Sequence, residues 1–217
     1  PYPWEPATPE RVLPFGYDVP AVPSNNLSIT ACRDQYEAAS FIITAQTDIS
    51  GINITASALT DSMGHTIPAS AIDIRTVKVW YQGDAKDVAN FGGLKYNVLA
   101  PELLLKNDSL IRVNYTGQYN EIWVHTAGYP NGMYVRLDNT TILKFPKDGK
   151  IYDDATPSGG IQPFSLLQNE NKQIWITTHI PGNAVAGNYT GTITVTSPST
   201  SPVVMNFRVR VLPFTLA

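Results

Sequence analysis

From Asn188 to Ser197, and again from Val203 to Leu212, the sequence alternates with a period of two, and that period leaves little choice of fold. In the first run Tyr189, Gly191, Ile193 and Val195 alternate with Asn188, Thr190, Thr192, Thr194 and Thr196. In the second, Val203, Met205, Phe207, Val209 and Val211 alternate with Val204, Asn206, Arg208, Arg210 and Leu212. Side chains on a strand point alternately to opposite faces, so each run carries one apolar and one mostly polar face. This is the pattern of an antiparallel sheet with one wet surface. The Ser-Pro-Ser-Thr-Ser-Pro stretch at 197–202 supplies turn chemistry between the runs. The two are expected to be neighbouring strands.

The rest of the chain extends the pattern. Strands are expected at Leu27–Cys32, Ala39–Thr44, Ile52–Leu59, Ile72–Tyr81, Ile111–Tyr115, Tyr119–His125, Gln173–His179, Tyr189–Ser197 and Val203–Leu212. They are short, rich in β-branched and aromatic residues, and bounded by Gly, Pro, Asn and Asp. No stretch holds a helical period; one helical turn is expected near Pro101–Leu105, since Pro is tolerated in a first turn. The connections at 82–110 and 143–172 are long, and long loops in compact domains are usually functional. The fold class is therefore all-β, an antiparallel sandwich of the immunoglobulin-like or jelly-roll-like kind, over residues 24–217. Residues 1–23 carry seven prolines together with Tyr2, Trp4, Val12, Leu13, Phe15 and Tyr17. Proline favours extended backbone, and this run is too apolar for a free linker. It reads as an extended arm lying across a surface, its own or a neighbour's.

At 217 residues, the chain is long enough to bury a sizeable core. Charged residues make up only 15% of it, against a usual share of about 25%. Hydroxyl and amide residues supply solubility instead, as on extracellular β surfaces. The net charge of −3 argues against a nucleic-acid footprint or a polybasic membrane patch. No apolar run approaches the roughly 20 residues of a membrane span. With no initiator Met and no leader pattern, the chain reads as a processed product or an excised fragment.

Six Asn-X-Ser/Thr triplets occur, at Asn26, Asn53, Asn107, Asn114, Asn139 and Asn188, where chance would give about two. Asn53, Asn114 and Asn188 fall on the polar side of their expected strands. Asn26 and Asn107 fall in turn-like stretches. A glycan is bulky and solvated and can only point outward, so the placement fits covalent N-glycans on a secreted or cell-surface protein.

Candidate chemistry is sparse. His65, His125 and His179 are isolated, without metal-type spacing, and neither a metal nor a cofactor is expected. Asp153 and Asp154 are adjacent, but neighbours on an extended chain point apart and do not make a catalytic pair. Arg33, Asp34 and Glu37 are expected to form a polar network at a strand corner. The lone Cys32 reads as a small buried hydrophobe. Tyr129 and Tyr134, in an expected loop, are candidates for sugar stacking. No catalytic residue is assigned.

Three segments together carry a resemblance. They are Ala31-Cys-Arg-Asp-Gln-Tyr-Glu-Ala-Ala-Ser-Phe-Ile-Ile43, Leu99-Ala-Pro-Glu-Leu-Leu-Leu-Lys-Asn-Asp-Ser-Leu110, and the run from Gln162-Pro-Phe through Asn171-Lys-Gln-Ile-Trp-Ile and Ile180-Pro-Gly to Ala186-Gly-Asn-Tyr-Thr-Gly-Thr. In order and spacing they resemble the N-terminal β-sandwich of secreted glycoside-hydrolase-like proteins, including those similar to glycoside hydrolase family 123. The resemblance spans about residues 27–216, and Val211-Leu-Pro-Phe-Thr-Leu216 looks like the exit toward a (β/α)8 barrel. It implies a non-catalytic accessory domain, since in that family the catalytic carboxylates lie on the barrel. Whether the chain takes part in an enzyme is left open. Two rival expectations stand beside it. One is a structural subunit of a glycosylated filament or surface layer, self-associating through residues 1–23 by strand addition. The other is a stand-alone carbohydrate-binding module.

Overall fold

The computed structural model describes residues 12–19, 23–82, 98–137 and 160–216. Asn139, Asp153, Asp154 and most of the arm lie outside the described residues. The described residues are all-β, in three sheets. In chain order the strands are β1 (Asn26–Arg33), β2 (Tyr36–Thr44), β3 (Ile49–Ala56), β4 (Leu59–Thr60), β5 (Thr66–Ile67), β6 (Ile72–Gln82) and β7 (Val98–Leu105). They continue with β8 (Ile111–Asn114), β9 (Tyr119–Thr126), β10 (Tyr129–Arg136), β11 (Phe164–Leu166), β12 (Asn171–His179), β13 (Gly187–Ser197) and β14 (Thr200–Thr215). No α-helix occurs among the described residues. No helix there is long and apolar enough to cross a membrane.

The larger sheet runs β1-β14-β13-β3-β11, with β4 and β5 attached beside β13. A four-stranded sheet, β2-β12-β6-β7, packs against it. Between them lies one continuous core. Ile29, Ile54, Tyr189, Ile193, Phe207 and Val209 come from the first sheet, and Ile72, Ile74, Ile174 and Ile176 from the second. The alternation in β13 and β14 decides which side is buried: Tyr189, Ile193, Met205, Phe207, Val209 and Val211 point inward while the threonines and arginines point out. Opposite Phe207, Gly191 leaves space that nothing larger could fill. A Cβ there would meet the Ala58 carbonyl oxygen and Leu59 Cδ2, both at 2.7 Å.

Four features differ from the sequence expectation. First, β13 and β14 are antiparallel neighbours as expected, but their turn is only Pro198–Ser199, and Pro202 already lies in β14. Second, β1 pairs with β14 in parallel, from Asn26↔Asn206 to Ala31↔Val211 and again at Arg33↔Thr215; the sandwich is not purely antiparallel. Third, Pro101–Leu105 is part of strand β7, not a helical turn. Proline survives there because β7 is an edge strand and its pairing with β6 slips by a bulge, Lys78 opposite Leu103 and Val79 opposite Pro101. Fourth, the stretch holding Tyr129 and Tyr134 is strand β10, with its register shifted between Tyr129 and Met133.

β10, β9 and β8 form a separate three-stranded sheet. Its inner face gives Ile111, Ile122, Val124 and Val135 to a second core, closed by Leu110 and by Trp80, Leu103 and Leu105 from β6 and β7. Asn120 sews the two parts together. Its side chain accepts from the Tyr81 N–H at 2.9 Å and donates to the Tyr81 carbonyl at 2.7 Å.

The described part of the arm lies on its own chain. Val12 and Pro14 are buried, and Phe15 meets Tyr115 edge-on with ring centroids 5.7 Å apart. Asn171 fastens it. The Asn171 side chain donates to the carbonyls of Leu13 (3.2 Å) and Tyr17 (2.9 Å), accepts from Thr44 Oγ1 (2.7 Å), and its backbone N–H reaches the Pro14 carbonyl (2.8 Å). Asn171→Ala strands the Leu13 and Tyr17 carbonyls and is expected to cost about 1–3 kcal/mol. The clearest readout is limited proteolysis, with faster cleavage within 12–19 than in wild type; equal cleavage would show that Asn171 does not hold the strap.

Candidate functional site

The inner face of the four-stranded sheet carries two lysines where its apolar rows end. Ile72 and Thr178, Ile74 and Ile176, and Thr76 and Ile174 stand opposite one another across β6 and β12. The same alternation then brings Lys78 and Lys172 to that face. Both are buried. Two adjacent ammoniums out of water are costly unless paired, and Asp108 pairs them. Its Oδ2 lies 2.8 Å from Lys78 Nζ and its Oδ1 3.0 Å from Lys172 Nζ, while Lys78 also donates to the Asp108 carbonyl at 3.0 Å.

Asp108 opens a 3-10 turn, Asp108–Leu110, on the passage from β7 to β8. Asn107 caps that turn, its Oδ1 accepting from the Ser109 N–H (3.0 Å) and from Ser109 Oγ (2.6 Å). Tyr134 grips it from β10, donating its hydroxyl to the Ser109 carbonyl at 2.5 Å. Burial pushes the Asp108 carboxyl up, but the charges and hydrogen bonds of Lys172 and Lys78 outweigh it and hold the group below its ordinary value. Burial draws the Lys78 ammonium down, against the pull of Asp108. Burial, with Glu170 and Asp108 nearby, raises the Tyr115 hydroxyl well above its usual range.

These groups line a cavity of about 150 Å³ with Glu170, Asn171 and Pro14. Sites for small molecules usually span about 300–1,000 Å³, so this cavity is small for a glycan-binding cleft. Its carboxylates are also engaged. Asp108 is held by two lysines, and Glu170 Oε2 accepts from the Leu167 N–H at 3.0 Å. A carboxylate with both oxygens bonded and its pKa depressed is a poor proton carrier. What this centre does is lock the turn between the sandwich and the small sheet. The sequence reading missed it, although Lys78 and Lys172 breaking the apolar alternation of two strands was a visible signal.

The other named residues are spread over the molecule. Asn26, Asn114 and Asn188 are exposed, and Asn53 and Asn107 half-exposed. Asn114 donates to the Tyr119 hydroxyl (3.0 Å) and accepts from the Gly117 N–H (2.7 Å). Tyr134 lies with the Arg112 guanidinium 3.6 Å from its ring centroid and Trp123 edge-on at 4.7 Å. Tyr129 pairs through its backbone with Thr126. The expected Arg33–Asp34–Glu37 network does not form. Arg33 donates to the Ala184 carbonyl (2.8 Å), Asp34 faces His179 (3.5 Å), and Glu37 accepts from Gln35 (2.8 Å). Cys32 is buried, with its Sγ 3.2 Å from Gln35 Oε1. His65 bonds Asp61 (2.7 Å), His125 accepts from Trp123 (3.0 Å), and His179 stacks on Tyr36 (4.4 Å). Among the described residues no three metal-ligating side chains converge.

Comparison with known proteins follows the same lines. The family described as Glycoside hydrolase 123 N-terminal domain matches residues 147–197, the stretch that contains β11, β12 and β13. Among solved structures, a family 123 glycoside hydrolase from Clostridium perfringens, studied for glycolipid glycan hydrolysis, superposes with a TM-score of 0.52 at 14% identity. The match covers 88% of this chain and 23% of that one. A second, AvmM, described as catalysing macrocyclization in alchivemycin A biosynthesis, gives a TM-score of 0.32 at 10% identity over 91% of this chain and 89% of that one. A likeness that low carries no argument. A search of the curated proteins finds no match. In sequence over 147–197 and in fold, this chain is similar to the N-terminal domain of glycoside hydrolase family 123.

Proposed function

We propose that the chain is the non-catalytic β-sandwich accessory domain of a secreted carbohydrate-active protein, packing beside a (β/α)8 barrel that holds the catalytic carboxylates. The observation that carries this reading is the joint likeness in sequence and fold to a glycoside hydrolase 123 N-terminal domain. The Lys–Asp–Lys centre supports it, because the buried carboxylate there is tied up in structure. On this reading N-glycans attach at the sequons Asn26, Asn53, Asn107, Asn114, Asn139 and Asn188, and Tyr129 and Tyr134 remain the candidates for sugar stacking.

Two measurements decide it. The reading frame after Ala217 should continue into a barrel with paired Asp or Glu residues, and a stop codon there would overturn the accessory role. The purified chain should release no product from a panel of p-nitrophenyl glycosides. Turnover that follows the chain through purification would sink the non-catalytic assignment.

A further inference from the structure

The outer face of the larger sheet is ordered by its register into polar rows. Ser28, Arg208 and Thr190 stand side by side across β1, β14 and β13, and Thr30, Arg210 and Asn188 form the next row. All six are exposed. Arg208 and Arg210 are two residues apart on one strand, so their Cα atoms lie about 7 Å apart on the same side. Among the described residues neither guanidinium has an ion-pair partner. The six side chains border a solvent-open groove of about 460 Å³, and no carboxylate lines it.

We infer that this groove binds an acidic polysaccharide through the carboxylates of its uronic-acid residues. A guanidinium presents a planar fork that matches a carboxylate with two parallel hydrogen bonds. Two forks in line along a strand suit an extended polymer that bears carboxylates at intervals. The hydroxyls and the amide on either side donate and accept, as sugar hydroxyls require. A nucleic acid fits less well. The groove offers no stacking platform, since Tyr189, the one aromatic among its lining residues, is buried in the core. The choice of a saccharide as the polymer rests on the accessory-domain reading; the anion site itself rests on the two arginines.

A glycan on Asn188 would cover the groove, so the site is open only where that sequon is bare, and the test is affinity electrophoresis of the full chain made in a host that does not N-glycosylate. Gels contain polygalacturonate, dextran sulfate or neutral dextran. Polygalacturonate should retard the wild type, and neutral dextran should not. Arg208→Gln/Arg210→Gln should weaken retardation about tenfold or more, the loss of charged hydrogen bonds, with an unchanged melting temperature because both residues are exposed. Arg208→Lys/Arg210→Lys keeps the charge but not the fork and should also bind more weakly. Absent retardation of the wild type, or equal retardation of the glutamine variant, overturns the site. Equal retardation by dextran sulfate, or full retention by the lysine variant, overturns the carboxylate assignment. Each of these leaves the accessory-domain reading to be judged by its reading frame.

Discussion

Asp108→Ala is expected to lower folding stability by about 3–5 kcal/mol, because it leaves two buried ammoniums without a counter-charge. Asp108→Asn should lose a similar amount, since shape is kept and charge is not. Urea denaturation followed by intrinsic fluorescence reads both. The wild-type carboxyl is held below its ordinary value, so the folded state binds fewer protons than the unfolded chain in that range. The contribution is therefore present above about pH 4 and fades as pH falls through the depressed folded value. In Asp108→Ala the same sign appears at higher pH. Lys78, already drawn down by burial, then favours its neutral form when folded, and stability should rise with pH toward the ordinary lysine value of about 10.4 as the unfolded chain binds more protons. A flat profile in the variant would show that the lysines find water instead. The triple change Lys78→Met/Asp108→Leu/Lys172→Met removes all three charges and should recover most of the loss.

Phe207→Ala is expected to cost about 3–5 kcal/mol. Phe207 is fully buried at the middle of β14, facing the core with Tyr189 and Val209 around it on the larger sheet. The space cannot collapse readily, because rigid strands on both sides hold the neighbouring side chains in register. The adjacent Arg208→Ala, on the wet face, should change stability by about 0.5 kcal/mol or less. A difference between these neighbours of less than about 1 kcal/mol would mean that the alternation does not set which face is buried.

The contrast between those two residues also explains what could be read before the structure was known. Strands with clean alternation, β6, β9, β12, β13 and β14, were legible because burial on one face writes a period of two into the sequence. Strands β7 and β10 were not, because each is an edge strand carrying proline and a register slip. On an edge, a missing N–H costs little, so the sequence is free to look like a loop. Short β4, β5 and β11 carry too few residues to show a period. Parallel pairing of β1 with β14 joins residues 26 and 206, and no local signal reports a partner that far away. The Lys–Asp–Lys centre was hidden for the same reason. Asp108 meets lysines 30 and 64 positions away, and only the register of β6 and β12 brings those two to one face.

The parallel pairing of β1 and β14 has a mechanical consequence. Because both strands run the same way, the start of β1 at Asn26 and the end of β14 at Thr215 lie at opposite ends of the sheet. A tether pulling on those two points draws the strands past each other lengthwise. The seven register pairs between them are then strained together, rather than peeled one at a time as in an antiparallel hairpin pulled from its open end. A load between whatever flanks the sandwich is thus borne by the whole β1–β14 seam at once.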